Sequence, residues 1–262
     1  MRQSTLIALM AFGLTAGAIA QAAESEAGNG LPGDVDPETV ARSGAYDDRD
    51  PWEPFNRSIF TFNEALDSNV VRPVARGYNR VTPEPVNDGV TNFFSNIAEP
   101  GNILNSLLQG KGEAALISTG RFIFNTTFGL LGLVDVASHM ELPEQDEDFG
   151  QTFGYWGMDT GPFLMLPILG PSTVRDTAGM GVEYGVPDLM DPIEVRPRYG
   201  LYALYGLDTR ASLLRYEKQI TGDRYRFMRN AYLQRRAYKV NDGKVKHDPF
   251  AQEDDDLMLE DF

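Results

Sequence analysis

The sequence predicts a mainly α-helical fold. Three observations carry that reading: apolar residues recur at helical spacing in several stretches, helix-start signals stand where those stretches begin, and strand signals are poor throughout. The chain has 262 residues, 42% of them hydrophobic, with 15 Phe and 11 Tyr, which is ample for a folded core.

Residues 1–22 read as a secretory signal peptide. Arg2 is their single charge, an apolar run spans Leu6 to Ile19, and Ala20-Gln21-Ala22 fits a small-residue cleavage site. The run is shorter than the ~20 residues a membrane-spanning helix needs. Residues 23–49 are small, acidic and rich in Gly and Pro, and read as a flexible linker. The ordered body is expected over 50–240, and residues 241–262 form an acidic tail expected to be disordered or loosely docked.

Asp50 suits a helix cap, Pro51 the first helical position, and Glu53 sits three residues after the cap. Phe55, Ile59, Phe62 and Leu66 follow at helical spacing, so 51–67 is predicted to be an amphipathic helix with a Phe-rich face. The three prolines of "VRPVARGYNRVTPEPV" predict a mostly extended connection. Helices are predicted over 86–98 and 101–109, broken at Glu99-Pro100 because proline disfavours helix at the preceding residue. Another is predicted over 113–128, followed by the glycine-bearing return "GLLGLVDVASHM". Between Ala114 and Ala137 the only charges are Arg121 and Asp135. A bilayer span there is disfavoured, because Arg121 near its middle costs ~2.5–3.5 kcal/mol.

The stretch "GPFLMLPILGPSTVRD", Gly161 to Asp176, has no charge in its first ten residues. Pro162, Pro167 and Pro171 prevent a continuous helix, and Gly161 and Gly170 allow tight turns. It reads as a bent apolar wall segment that hands over to a short helix capped by Ser172. Longer helices are predicted over 198–220 and 223–239.

The chemistry is sparse. A net charge of −15 argues against nucleic acid as a partner. There is no Cys, hence no disulfide and no cysteine to carry an acyl group. The common nucleotide, hydrolase-elbow and zinc-protease motifs are missing. His139 and His247 are the only histidines. A catalytic triad would have to rest on His139, for which an ordinary surface position is the simpler reading. The carboxylate run Glu144 to Gly150 lacks calcium-loop spacing and reads as a solvated acidic loop. No catalytic residue, metal or cofactor is expected.

From Arg215 to Lys239 there are eight Lys or Arg and two acids, interleaved with Tyr216, Tyr225, Phe227, Tyr232 and Tyr238. Such a stretch suits a membrane interface or anionic partner. It equally suits a surface helix whose tyrosines pack on the body and whose arginines pair with the acidic tail. Three functions stay open on the residues alone: a lipid-handling or membrane-surface protein, a structural interaction module, and a cryptic hydrolase. Apolar segments too interrupted to span a bilayer favour the first.

Five motifs in order, "DPWEPFNRSIFTFNEALDSNVVRPVARGY", "FFSNIAEPGNILNSLLQGK", "RFIFNTTFGLLGLVDVAS", "FGQTFGYWGMDTGPFLMLPILGPSTVRD" and "YLQRRAY", resemble the MlaA (VacJ) family. The resemblance covers about 50–240. It implies a single ring-shaped, mainly α domain whose helices lie in the plane of the membrane, at the inner leaflet of the outer membrane. It also implies a polar channel through which mislocalised phospholipid leaves the outer leaflet for a periplasmic carrier, maintaining lipid asymmetry without enzymatic chemistry. Implied partners are phospholipid, a trimeric porin and the periplasmic lipid-binding protein MlaC. The residues matching family motifs, as candidates for lipid channel or ring structure, are Asp50, Pro51, Phe55, Asn56, Arg57, Phe62, Asn63, Arg72 and Pro73 in the first motif. Arg121, Asn125, Gly129, Gly132 and Asp135 lie in the third, and Phe163, Pro167, Gly170, Pro171, Arg175 and Asp176 in the fourth. The resemblance implies a Phe face on the first helix, in ring or lipid, with Asn56, Arg57 and Asn63 opposite. Many family members carry an acylated N-terminal cysteine, which this chain lacks. The expected location is the periplasmic face of the outer membrane, unlipidated. The alternative is a periplasmic structural protein at that membrane without lipid conduction.

Overall fold

The computed structural model describes residues 49–186, 195–215 and 222–243. The expected signal peptide, nearly all of the linker and most of the acidic tail lie outside those residues.

Helix α1 runs Glu53–Leu66. Its cap position is Trp52, with no side-chain cap bond, rather than the expected Asp50. The Asp50 carboxylate instead turns inward to accept from Asn56, Tyr225 and Arg229. A π turn over Asp67–Val71 leads into α2, Arg72–Val81, where an extended connection was expected. Pro73 and Pro85 explain the correction. Pro85 stands in the first turn of α3 (Glu84–Leu108), where the missing N–H has no intrahelical partner to lose, and Pro73 stands second in α2, directly after the π turn. The prolines start helices here rather than break them.

Helix α3 is also continuous through Pro100, against the expected break. An interior proline costs ~3 kcal/mol. The helix keeps it because one face is buried on both sides of the proline, from Phe94, Asn96 and Glu99 to Asn102, Asn105 and Ser106. Along that face packs α4, Gly112–Thr127, one residue at each end from the helix expected over 113–128. A turn leads to the short α5, Val136–His139, capped by Asp135, and later to α6, Phe149–Tyr155, capped by Asp148.

The apolar stretch from Gly161 forms an antiparallel hairpin, a feature the poor strand signals did not announce. Strands β1, Phe163–Leu166, and β2, Gly170–Thr173, pair with Phe163 opposite Thr173 and Leu166 opposite Gly170. Ile168 and Gly170 adopt positive φ at the bend (66° and 86°). Thr173, not Ser172, caps α7, Val174–Glu183, by accepting from the Asp176 N–H. Helix α8 runs Val195–Ser212 and tightens into a 3-10 turn at Leu213–Arg215. The expected extension of α8 over 216–220 lies outside the described residues. Helix α9, Arg224–Val240, is capped by Asp223.

The apolar cores are small. Phe163, Met165, Tyr225 and Tyr232 form one, with Ile59, Phe60, Met228 and Leu233 against it. Phe94 and Tyr202 centre a second between α3 and α8. The hairpin is thus a core element. Phe163 is fully buried and Met165 almost so, whereas Leu164 and Leu166 between them are half-buried and Pro167 at the bend is exposed.

Candidate functional site

The polarity of this molecule is partly inverted. Among the described residues, buried polar and charged side chains outnumber buried apolar ones, while large apolar side chains are exposed on most helices.

The interior is held by hydrogen-bonded charge clusters. Between α3 and α4, Arg121 Nε donates to Glu99 Oε1 at 2.8 Å, with side chains only 2% and 1% exposed. Its other nitrogens donate to Asp135 (3.1 Å), Ser138 (3.2 Å) and the Leu142 carbonyl (2.7 Å). Asn125 donates to Asp135 at 3.0 Å and accepts from the Ala137 N–H at 2.9 Å. Burial pushes the Glu99 carboxyl up. Burial also works to raise Asp135, but Ser138, Asn125 and Arg121 outweigh it and bring that carboxyl down to about 2. Arg121 is therefore a brace between α3, α4 and the return to α5. Toward the end of α3, Gln109 donates to Glu147 and Thr152, and Thr152 donates to Asn105.

A second cluster ties α6, α7 and α9. Arg236 bridges Asp148 (2.5 Å) and Asp176 (2.7 Å), and Asp176 also accepts from Tyr232 at 2.7 Å. Arg175 sits beside Asp176 at 3.3 Å. Charge attraction from Arg236 outweighs the desolvation of Asp148 and Asp176 and holds both carboxyls below their ordinary range. Gly150 and Gly179 let α6 and α7 meet: a Cβ on Gly179 would come within 2.5 Å of the Gly150 nitrogen.

A third cluster seats the hairpin on α1. Asn56 donates to the Phe163 carbonyl (3.0 Å) and accepts from the Met165 N–H (2.9 Å). Two turns along, Asn63 does the same with the Leu166 carbonyl (2.9 Å) and the Ile168 N–H (2.7 Å). The two amides complete backbone groups that β2 leaves unpaired. A fourth cluster joins the π turn to α8, with Asp67 accepting from both Arg72 and Arg210.

The acidic run 144–150 supplies counter-ions rather than a solvated loop. Asp146 pairs with Arg235 and Lys239, Glu147 with Lys111, and Asp148 with Arg236. Helix α9 likewise spends its cations on body carboxylates, adding Arg224 to Glu64 and Arg229 to Asp50. Pairing of these arginines was expected, but with the tail. Tyr225 and Tyr232 are buried, and Tyr216 lies outside the described residues.

The apolar exterior is broad. On α1, Phe55 and Phe62 point outward, whereas Asn56 and Asn63 point in. Leu116 and Ile123 are exposed on α4, as are Tyr155 at the end of α6 and Trp156 and Met158 after it. The densest part is the return after α4, where Phe128, Leu130, Leu131, Leu133 and Val134 are all exposed, Leu130 to 70%. Leu130 and Leu131 hold positive φ (54° and 61°), a strained state for leucine, fixed by backbone bonds from Leu131 to Thr126 and Gly132 to Asn125. Gly129 and Gly132 permit the fold-back: a Cβ on Gly132 would lie 2.5 Å from Asn96 Cβ. Among the described residues no helix is long and apolar enough to cross a membrane.

Most of the polar motif residues expected at the site are internal braces. Asp50, Asn56, Asn125, Arg121, Arg175 and Asp176 are buried and bonded, while Asn63 and Asp135 are half-buried and bonded. Arg72 is paired, and Arg57 pairs with Glu53 and Asp223 while lying 4.4 Å over the Tyr225 ring. Phe163 and Pro171 are buried, Pro51 and Pro73 are exposed, and Phe55 and Phe62 face outward. His139 is exposed on the surface, its Nδ1 2.9 Å from the Asp135 carbonyl. Sequence reasoning missed Glu99, Asp148 and Arg236, although each is a charge within an otherwise amphipathic helix or at its cap.

Comparison with known proteins agrees with this architecture. The sequence model of the MlaA lipoprotein family matches residues 48–239. The intermembrane phospholipid transport system lipoprotein MlaA of Escherichia coli K12 is 35% identical over 204 residues, 75% of this chain and 80% of that protein. The Haemophilus influenzae protein of the same name is 33% identical over 217 residues, 79% and 86%. A solved chain from work on the structural basis for maintenance of bacterial outer membrane lipid asymmetry superposes with a TM-score of 0.66. It is 35% identical and covers 73% of this chain and 98% of its own.

Proposed function

The chain belongs to the MlaA family, and from that premise we propose that it works in intermembrane phospholipid transport, removing mislocalised phospholipid from the outer leaflet of the outer membrane. The observation that carries this is the inverted polarity. An exterior bearing Phe55, Phe62, Leu116, Leu130 and Leu131 suits acyl chains, and an interior of satisfied polar clusters suits a body that must hold its shape there.

In the same reading the body is a ring lying in the inner leaflet, its helices in the membrane plane and its apolar returns in lipid. Phospholipid passes through it to a periplasmic carrier of the MlaC kind, and a trimeric porin is its neighbour. No bond is broken in the passage, and energy and direction come from outside the chain. The 262 residues hold no cysteine, so a cysteine-linked acyl chain has no attachment atom within them, unlike relatives named lipoproteins. The exposed apolar surface then carries membrane residence, after export by the signal peptide. Fractionation and an intact mass of the mature protein check this.

The test of the function is deletion of the gene and measurement of phospholipid in the outer leaflet. A rise restored by the chain in trans supports the proposal, and unchanged asymmetry contradicts it. The second reading, a structural protein without conduction, is favoured by the internal bonding of the motif residues. It predicts that purified chain in proteoliposomes leaves phospholipid transfer to an acceptor protein unaccelerated.

A further inference from the structure

In a chain of net charge −15, a free cation is unusual. Among the described side chains, the basic groups of α1, α4, α7 and α9 are bonded to carboxylates, as are Arg72, Lys111 and Arg210. Arg76 and Arg80 make no ion pair or hydrogen bond among the described residues, and both are exposed.

Their setting is ordered. The inward face of α2 is fixed on α8: Ala75 is fully buried, Tyr78 donates to Asp208 at 2.9 Å, and Asn79 donates to the Ala211 carbonyl at 2.9 Å. Arg76 and Arg80, four residues apart, therefore share one outward flank. Val74 and Val81, seven apart, share the other, and are 52% and 78% exposed. Pro73 and Gly77 lie between the flanks and are exposed too. Glu84 and Asp88, at the start of α3, are the carboxylates that follow in sequence, and neither reaches these guanidinium groups within ion-pair distance. A rigid helix with a valine flank beside an arginine flank matches the boundary between acyl chains and phosphate headgroups, where apolar side chains enter and guanidinium groups meet anions.

We propose that the Arg76–Arg80 flank of α2 binds the headgroups of anionic phospholipid at a bilayer surface, with Val74 and Val81 entering the acyl boundary beside them. This rests on the reading that the chain resides in a membrane, and it adds a preference for lipid charge. Each guanidinium near an anionic surface strengthens binding about fivefold, so the pair accounts for about a 25-fold preference at low salt.

Flotation of the purified full chain tests it, using vesicles of phosphatidylcholine alone or mixed with phosphatidylglycerol. The wild-type chain binds the mixed vesicles more tightly, and added salt erodes the difference. R76Q/R80Q loses that preference about 25-fold, binds phosphatidylcholine as the wild type does, and keeps its thermal midpoint. R76K/R80K retains most of the preference, because a point charge suffices. The proposal is overturned if the wild type binds both vesicles alike, if R76Q/R80Q keeps the preference, or if its midpoint falls and both affinities fall together. A wild-type chain that floats with neither vesicle contradicts membrane residence itself, and this proposal with it.

Discussion

Glu99 and Arg121 meet at 2.8 Å across the α3–α4 hairpin, with almost no solvent access to either side chain. Such a pair is expensive to half-remove, since the survivor is left charged or unsatisfied in the interior. Arg121→Met is expected to destabilise the chain by about 3–5 kcal/mol. The double variant Glu99→Leu/Arg121→Met should lose less than the sum of the two single variants. Denaturant unfolding of the four proteins in mild detergent checks the coupling.

Asn56 and Asn63 act as a surrogate strand for β1, each bonding one carbonyl and one N–H. Asn56→Leu leaves buried backbone groups unpaired and should cost about 3 kcal/mol. Asn63→Leu, at a half-buried site, should cost about 1–2 kcal/mol. Hydrogen exchange at the Met165 and Ile168 amides should quicken in the matching variant, which a general loss of packing would not resolve residue by residue.

Gly132 has φ of 94° and no room for a methyl group beside Asn96. Gly132→Ala is expected to cost about 2 kcal/mol or more and to reorient the exposed leucines before it. Gly77→Ala, with nothing within 4 Å of the added Cβ, is the control and should be neutral or slightly stabilising. Thermal midpoints of the two variants compare them directly.

Glu183 is pushed up to about 7, first by burial and next by Asp148, with Asp176 adding to it and Arg236 opposing it. Its ordinary value is 4.5. The folded chain thus holds this proton where the unfolded chain has released it, so stability falls as pH rises from about 4.5 to about 7. Glu183→Gln should abolish that fall and be more stable than wild type by on the order of 2 kcal/mol near pH 8, and equal to it near pH 4. Asp148 and Asp176 run the other way. Their carboxyls are held down, so their contribution is present above about 4 and lost as the pH falls below it.

Helices α4 and α9 were legible in the sequence to within a residue at each end, because their periodicity is long, Asp223 caps α9 and glycines close α4. Residues 72–81 and Pro100 were not. Proline both starts and ends helices, and only burial of Glu99 and Asn102 on either side of it decides that α3 continues through. The hairpin escaped because four-residue strands flanked by prolines carry little pattern. What fixes it is Asn56, more than one hundred residues away. The candidate site divided in the same way. Arg121, Asn125, Asp135 and Asp176 were picked out, yet their bonds are internal, a fact set by partners such as Glu99 and Arg236 that local spacing does not reveal. The exposed Phe55 and Phe62 were legible as a face, but which face looks outward is decided by Asn56 and Asn63.

The central claim is that the apolar exterior lies in lipid, and the lack of any native cysteine makes it directly measurable. Single cysteines at Phe55, Leu116 and Leu131, and at the exposed Ser212 as a comparison, would each carry an environment-sensitive fluorophore in proteoliposomes containing acyl-chain quencher lipids. The account predicts strong quenching at the three apolar positions, weak quenching at Ser212, and little of either from a water-soluble quencher at Leu131. Equal quenching at all four positions, or protection of Leu131 from the lipid quencher, would contradict it.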